Sequence, residues 1–442
     1  MGSTVSWFGT ILRGVRSRLP RPAERRFVSD VYRRLLGRRP DPEGRRSYLG
    51  MLRGGGSRGD VLLSIVRSDE YVERAVAQLD LRSDVPDEVF LTSVYQSVLR
   101  RDPDQEGLRH YRRLLREGAD RGGVVRTLLD SDEHINRVTA ELYRLPNLRR
   151  SWPRRYVEAP SRAGGSIVVF HAPTPAWFDR LEAAILSSDY YDKPGIWEFG
   201  LNRDKRLMAE IVASLEPTCA LEIGCSNGTV LQSLHERGIE VAGLDISVSV
   251  VARADPSIRE QIHIGDLLTA DLPRTYDVVF GLDVFEHLNP NKLAAYLARV
   301  RALTNPGGFV FTNLPAFGED PVFGTVFPMD LEEWDRDAAA GRPFSLLPVD
   351  DDGYPHHGHL VWADSAWWVR QFEGAGLRRE RAVERALHQR YDDYMRRSSP
   401  ARRSFYVFSR DADDGVVAGL AERIGRAGSA ILSQEWDPAA AG

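Results

Sequence analysis

The stretch Cys219–Gly228, CALEIGCSNG, constrains this chain more than any other. An apolar run carrying Glu222 opens straight into Gly224, Cys225, Ser226, Asn227 and Gly228, and a helical pattern runs from Thr229 to Arg237. A buried strand, a small-residue turn and a helix start together aim main-chain N–H groups at a ligand. Glycine belongs where the chain bends tightly or a ligand touches the backbone. The dinucleotide spacing G-x-G-x-x-G would need glycine at 226 and 229, where Ser226 and Thr229 stand, so a nicotinamide oxidoreductase is disfavoured. Further strands follow. Glu240–Leu244 ends in Asp245, placed to accept both hydroxyls of a ribose. Gln261–Ile264 ends in Gly265-Asp266-Leu267, Tyr276–Leu282 runs into Asp283-Val284-Phe285-Glu286-His287-Leu288, and Asn305–Gly308 turns into Phe309–Leu314. This alternation predicts an α/β fold, a doubly wound, mostly parallel sheet with helices on both faces.

These strand ends resemble those of class I S-adenosylmethionine (SAM)-dependent methyltransferases, over residues 200–410. The resemblance implies a seven-stranded Rossmann-like sheet and SAM as cofactor, held by Glu222, Gly224, Cys225, Ser226, Gly228, Asp245 and Ile246. Gly265, Asp266 and Leu267 would form the adenine site, the acid meeting the exocyclic amine and apolar neighbours sandwiching the ring. The run Asp283–Leu288 looks like the D-x-x-E-H-L of many bacterial small-molecule methyltransferases, with Asp283 near the methionine end of the cofactor. Arg203 or Lys205 would pair with the SAM carboxylate, in a helix over the cofactor that includes Trp197. Methyl transfer is an in-line displacement, so the protein must align the reactants and exclude water. A hydroxyl acceptor also needs a base within hydrogen-bond reach. His287, past the fourth strand, is the candidate catalytic base. Gly358-His359-Leu360 resembles a recurrent family ending that brings His359 to the mouth of the site. Glu286 reads as a solvated first-turn acid, and Cys225 as a small buried hydrophobe.

The N-terminal third is a duplication. Phe27–Ala75 realigns without a gap on Phe90–Val138 at an offset of 63, pairing Tyr32 with Tyr95, Pro40 with Pro103, Asp41 with Asp104 and Gly44 with Gly107. Helical spacing makes each copy an all-α unit. Leu35–Asp41 with Gly44, and Ser68-Asp69-Glu70-Tyr71, resemble the bacterial DUF4214 family. The second copy departs by Arg100 and His134. The resemblance implies an interaction or substrate-presenting module in glycan (polysaccharide) biosynthesis, with a protein partner. Turn aspartates such as Asp41 and Asp104 cap helices.

The domains expected are a basic amphipathic helix over 1–25, repeats over 26–80 and 89–145, and a Pro-, Arg- and Gly-rich linker over 146–165. A methyltransferase domain over 166–412 with an insertion at 315–361, and a C-terminal helix over 413–442, complete the chain. Trp7, Phe8, Ile11, Leu12, Val15 and Leu19 share one face within residues 4–19, beside Arg13, Arg16 and Arg18, which suits peripheral contact with an anionic membrane. Residues 1–160 carry 31 Arg against 22 acids, +9, and the rest carries −13. The arginines alternate with acids and show no basic-aromatic stacking pattern, so nucleic acid is not an expected partner. Two cysteines, Cys219 and Cys225, make no disulfide framework and point to a reducing, cytoplasmic setting, and no signal-peptide core is apparent. The insertion holds Trp334, Phe344 and Tyr354, then His356, His357 and His359 near Asp350–Asp352. Their spacing matches no strong metal signature, and no metal is assigned. The reading is a SAM-dependent O-methyltransferase of a saccharide or other small polar acceptor. The alternative is a non-catalytic SAM-binding scaffold whose repeats recruit a partner.

Overall fold

The computed structural model describes residues 22–433 except 54–56, 80, 83, 144, 189, 193–199, 248–250 and 252. The helix expected over residues 4–19 and Trp197 lie outside them. Two compact units emerge, residues 1–144 with 191–198, and residues 145–190 with 199–442.

The first unit is all-α. Its helices are α1 (Pro22–Val31), α2 (Pro42–Arg53), α3 (Arg58–Val66), α4 (Asp69–Val76), α5 (Asp87–Val98), α6 (Gln105–Arg116), α7 (Arg121–Leu129) and α8 (Asp132–Leu142). The offset of 63 in sequence is an offset of 63 in structure. Asp41 and Asp104 accept from the N–H of Gly44 and Gly107 at 2.8 and 2.7 Å, so both are caps. Arg38 bridges Asp41 and Glu70, as Arg101 bridges Asp104 and Glu133. The copies pack reciprocally, α3 on α8 and α4 on α7, as a local two-fold requires. Equivalent positions meet between them: Tyr71 Oη lies 2.9 Å from His134 Nε2. His134 Nδ1 contacts the Val98 carbonyl at 2.9 Å. A carbonyl only accepts, so Nδ1 carries the proton, and Nε2 accepts from Tyr71.

The second unit is built on a seven-stranded sheet in the order β11-β12-β7-β6-β3-β4-β5. Its strands are β3 (Cys219–Ile223), β4 (Glu240–Asp245), β5 (Ile262–Ile264), β6 (Tyr276–Leu282), β7 (Thr304–Asn313), β11 (Arg378–Arg379) and β12 (Phe405–Ser409). The β5-β4-β3-β6-β7 run is parallel, and β12 and β11 are antiparallel additions. The central strands are apolar on both faces because both are covered. Ala220, Val278, Phe280 and Phe311 face one core, and Leu221, Val279, Val310 and Phe408 face the other. Helix α9 (Pro175–Ser187) sets Trp177 against Phe170, and among the helices covering the sheet are α10 (Arg203–Ala213), α11 (Thr229–His235) and α12 (Leu293–Leu303). Later come α13 (Glu332–Ala339), α14 (Ser365–Gly374), α15 (Arg381–Ser398) and α16 (Asp414–Arg426).

The stretch expected to be a linker is structured within this unit. β1 (Tyr156–Pro160) pairs antiparallel with β2 (Ser166–His171), and β2 pairs with β9 (Leu346–Pro348) from the insertion. Gly164 and Gly165, at φ 107° and 76°, form the hairpin turn rather than a tether. A parallel pair, β8 (Ala316–Phe317) with β10 (Ala363–Asp364), closes the base of the insertion. Trp334 and Phe344 stack at 5.0 Å and 11° and are buried with Val169, Phe317 and Leu346. The insertion's aromatics thus make a small core of their own.

Candidate functional site

The turn after β3 is shaped by what lies beneath it. Gly224 and Gly228 have φ of 67° and 73°, and a Cβ on either would come within 2.5 Å of Val284 Cγ2 or Ile258 Cδ1. Gly224 and Cys225 donate to the Leu244 carbonyl at 2.8 and 3.2 Å, which fastens the turn to the end of β4. Ser226, at φ 53°, donates its N–H to Asp245 Oδ2 at 2.8 Å, and Ser247 donates to Asp245 Oδ1 at 2.8 Å. Two main-chain donors therefore fix the Asp245 carboxylate at the tip of β4. Cys225 is buried, and burial pushes its thiol well above the ordinary value, so it is not a nucleophile at neutral pH.

At the tip of β5, Asp266 accepts from Leu268 N at 2.8 Å and from the Tyr296 hydroxyl of α12 at 2.6 Å. Gly265 donates its N–H to the Asp245 carbonyl at 2.9 Å. Leu267 is buried in the core, so the apolar neighbour open at this tip is Leu268. Ile246, Ile264 and Leu268 are 47%, 42% and 40% exposed. They are three of the seven large exposed hydrophobics among the described residues, and all lie at the tips of β4 and β5. Exposed apolar groups beside two fixed carboxylates suit a flat, partly apolar ring carrying hydroxyls and an amine.

Glu222 points into the core face beneath α10, and its Oε2 has no hydrogen-bond partner. Burial pushes its carboxyl up to about 8, against the pull of Lys205. Lys205 is itself buried, and burial with the nearby Arg402 lowers its pKa, while Glu222 and Asp283 oppose that. Arg203 is engaged elsewhere: it donates to the Ile431 carbonyl at 3.1 Å and lies over the Tyr394 ring. Asp283, at φ 52°, accepts from Asn313 Nδ2 at 3.0 Å and lies 3.4 Å from Arg402 Nε. Asn313, Tyr296 and Arg402 carry no motif of their own, and only the fold brings them here.

Past β6, the Phe285–His287 turn meets the insertion. Leu360 and Val361 donate to the Glu286 carbonyl at 2.8 and 2.9 Å. This clamp sets the His359 ring edge-on to His287, with centroids 4.7 Å apart. Burial pushes His287 down to about 4, and hydrogen bonds to the main chain at Gly358 and Asp283 partly offset it. Burial likewise holds His359 well below the usual imidazole range, beside the other three histidines. Glu286 is fully buried, not solvated. The covering residues, 360–361, lie 74 positions downstream, which is why the local pattern misreads it. His356 instead contacts the Val349 carbonyl at 2.7 Å, and Asp350 accepts from Tyr354 N. The His-Asp grouping of the insertion does not assemble around one point.

Residues 221–310 match the model of a methyltransferase domain family. The chain carries a methyltransferase domain. Residues 16–75 and 76–138 each match DUF4214, a domain of unknown function. The first of these matches begins inside the segment read as a separate N-terminal helix. A ubiquinone biosynthesis O-methyltransferase of Paraburkholderia xenovorans (strain LB400) is 33% identical over 106 residues, 22% of this chain and 45% of that protein. Hemagglutinin 1 of Eikenella corrodens is 29% identical over 135 residues, 29% of this chain and 44% of that protein. The chain thus spans less than half the length of these curated relatives. Among solved structures, Streptomyces venezuelae DesVI is 17% identical, with 51% of this chain and 97% of that one covered at a TM-score of 0.31. The CcbJ methyltransferase from Streptomyces caelestis is 21% identical, with 48% and 91% covered at a TM-score of 0.32. Among the described residues, no helix is long and apolar enough to cross a membrane.

Proposed function

We propose that the chain is a SAM-dependent methyltransferase that methylates a hydroxyl of a saccharide or another small polar acceptor. The observation that carries this is Asp245, fixed by two main-chain N–H groups at the tip of β4 among exposed Ile246, Ile264 and Leu268. When bound there, SAM would supply an electrophilic methyl group. Asp245 would take the ribose hydroxyls, and Asp266, steadied by Tyr296, would take the adenine amine. The buried Glu222 carboxyl and Lys205 amine suit the ammonium and carboxylate of the methionine part, so in this reading Lys205 replaces Arg203. Asp283, held by Asn313 and Arg402, borders that end. The acceptor hydroxyl would lie against His287 and His359, whose lone pairs face its proton. The saccharide assignment draws on the DUF4214 resemblance, and the hydroxyl acceptor on the O-methyltransferase named among the relatives. The repeats would then present the acceptor or recruit a protein partner.

The test is transfer of labelled methyl from SAM to a panel of glycans and small hydroxylated acceptors. Turnover that His287→Ala abolishes while SAM binding persists supports the reading. SAM binding with no turnover on any acceptor, unchanged by that substitution, favours the scaffold.

A further inference from the structure

We propose that Glu286, His287 and His359 form a site for a divalent transition-metal ion of the zinc class, with open positions for oxygen ligands. The three side chains each offer a ligand atom, and these atoms all lie within 4.8 Å of one another. His359 Nε2 is 3.9 Å from Glu286 Oε1, beyond hydrogen-bond reach. Glu286 is fully buried, and neither carboxyl oxygen has a hydrogen-bond partner. A buried carboxylate without a partner is costly and in need of a physical reason. Carboxylate oxygens are acceptors, and each neutral imidazole keeps one acceptor nitrogen beside its N–H. What satisfies several converging acceptors at once is a cation.

The donor set has a defined chemistry. Two imidazoles and one carboxylate suit zinc and its first-row neighbours, and three protein ligands leave the coordination shell open. Bonds of about 2.0–2.2 Å place two ligands of a tetrahedral ion about 3.4 Å apart, so atoms within 4.8 Å of one another close by at most about 1.4 Å on binding. The supporting shell is present too. The Glu286 backbone is clamped by Leu360 and Val361, and the His287 ring is hydrogen-bonded to the main chain at Gly358 and Asp283. Such contacts orient metal-bound imidazoles. Both cysteines are buried away from this cluster, so the site is not a thiolate one. Metal binding itself does not depend on the methyl-transfer reading. Only the assignment of the open positions to the acceptor's oxygen rests on it, and there the ion, with the His287 and His359 lone pairs bound to it, would itself polarise the hydroxyl and take the place of His287 as base.

The full chain, stripped with chelator, is titrated with Zn²⁺, Mn²⁺ and Mg²⁺ by calorimetry, and metal retained after dialysis is counted by mass spectrometry. One equivalent of Zn²⁺ per chain is expected, bound more tightly than Mg²⁺. Glu286→Gln and His359→Ala should each weaken it by at least the roughly 10–100-fold that loss of a supporting group costs. His235→Ala, on a remote helix, should leave it unchanged. His359 is partly exposed, so its variant is expected to fold even if the Glu286 variant does not. Parallel SAM titrations keep a failure of this site distinct from a failure of the cofactor reading. No retained zinc, or zinc retained equally by wild type and His359→Ala, overturns the proposal.

Discussion

Single residues in this chain are decided by backbone geometry more than by side-chain chemistry. Gly224 is the sharpest case. Its φ of 67° disfavours any L side chain, and a Cβ would collide with Val284. Gly224→Ala should cost about 2–4 kcal/mol from the left-handed backbone and overpacking together, read as a lower urea midpoint. Arg100 shows the converse. It stands where the first repeat has Gly37, and both adopt the left-handed region, at φ 58° and 65°. Arg100→Gly should therefore stabilise the repeats by about 0.5–1 kcal/mol, the relieved strain less the added freedom of the unfolded chain. A loss of stability would show that the Arg100 side chain matters more than its backbone. Lys205 gives a prediction about recognition. If it pairs with the SAM carboxylate, Lys205→Met should remove the preference for SAM over decarboxylated SAM in binding titrations. An unchanged preference would assign the pairing elsewhere.

Among the elements, those whose partners are local were readable, and those whose partners are distant were not. The central strands announced themselves because each is apolar on both faces and ends in a distinctive residue: Glu222 and Gly224, Asp245, Asp266, Asp283. β1 and β2 did not, because their third partner, β9, comes from the insertion about 175 residues away, and Pro and Gly disguise the hairpin. Helix α15 hides a similar surprise. His388 is buried, stacked on Phe405 at 3.8 Å, with both ring nitrogens unpartnered. Burial pushes it down to about 4, against Asp392 3.8 Å away, with Arg403 adding to the lowering. The unfolded chain, with its imidazole near 6.5, binds the proton first as pH falls. The folded state is thus penalised progressively from about pH 6.5 down to 4, by as much as about 3 kcal/mol. His388→Phe should shrink the loss of stability between pH 7 and 4.5, and equal losses in both proteins would contradict this. In the repeats, Tyr71→Phe removes the donor to a buried imidazole nitrogen and should cost about 1–3 kcal/mol in chemical denaturation of the full chain.

At the scale of the molecule, two units of different construction share one chain. The repeat unit was legible through its duplication, since an offset that repeats in sequence repeats in its caps, ion pairs and packing. The α/β unit was legible at the sheet, but not where the turn past β6 meets the insertion. There the decisive contact, the main-chain clamp between Glu286 and Leu360–Val361, links positions no local pattern connects. The same clamp buries the glutamate expected to be solvated. In the proposed function, what unites the second unit is the convergence of strand tips on one ligand, with Asp245 at its centre. Calorimetric titration of the full chain with SAM measures this most directly. One equivalent should bind, and Asp245→Ala should weaken it by about 1.5–3 kcal/mol, roughly 10–150-fold, with the fold retained. Absence of binding to the wild-type chain, or equal affinity in the variant, would contradict the account.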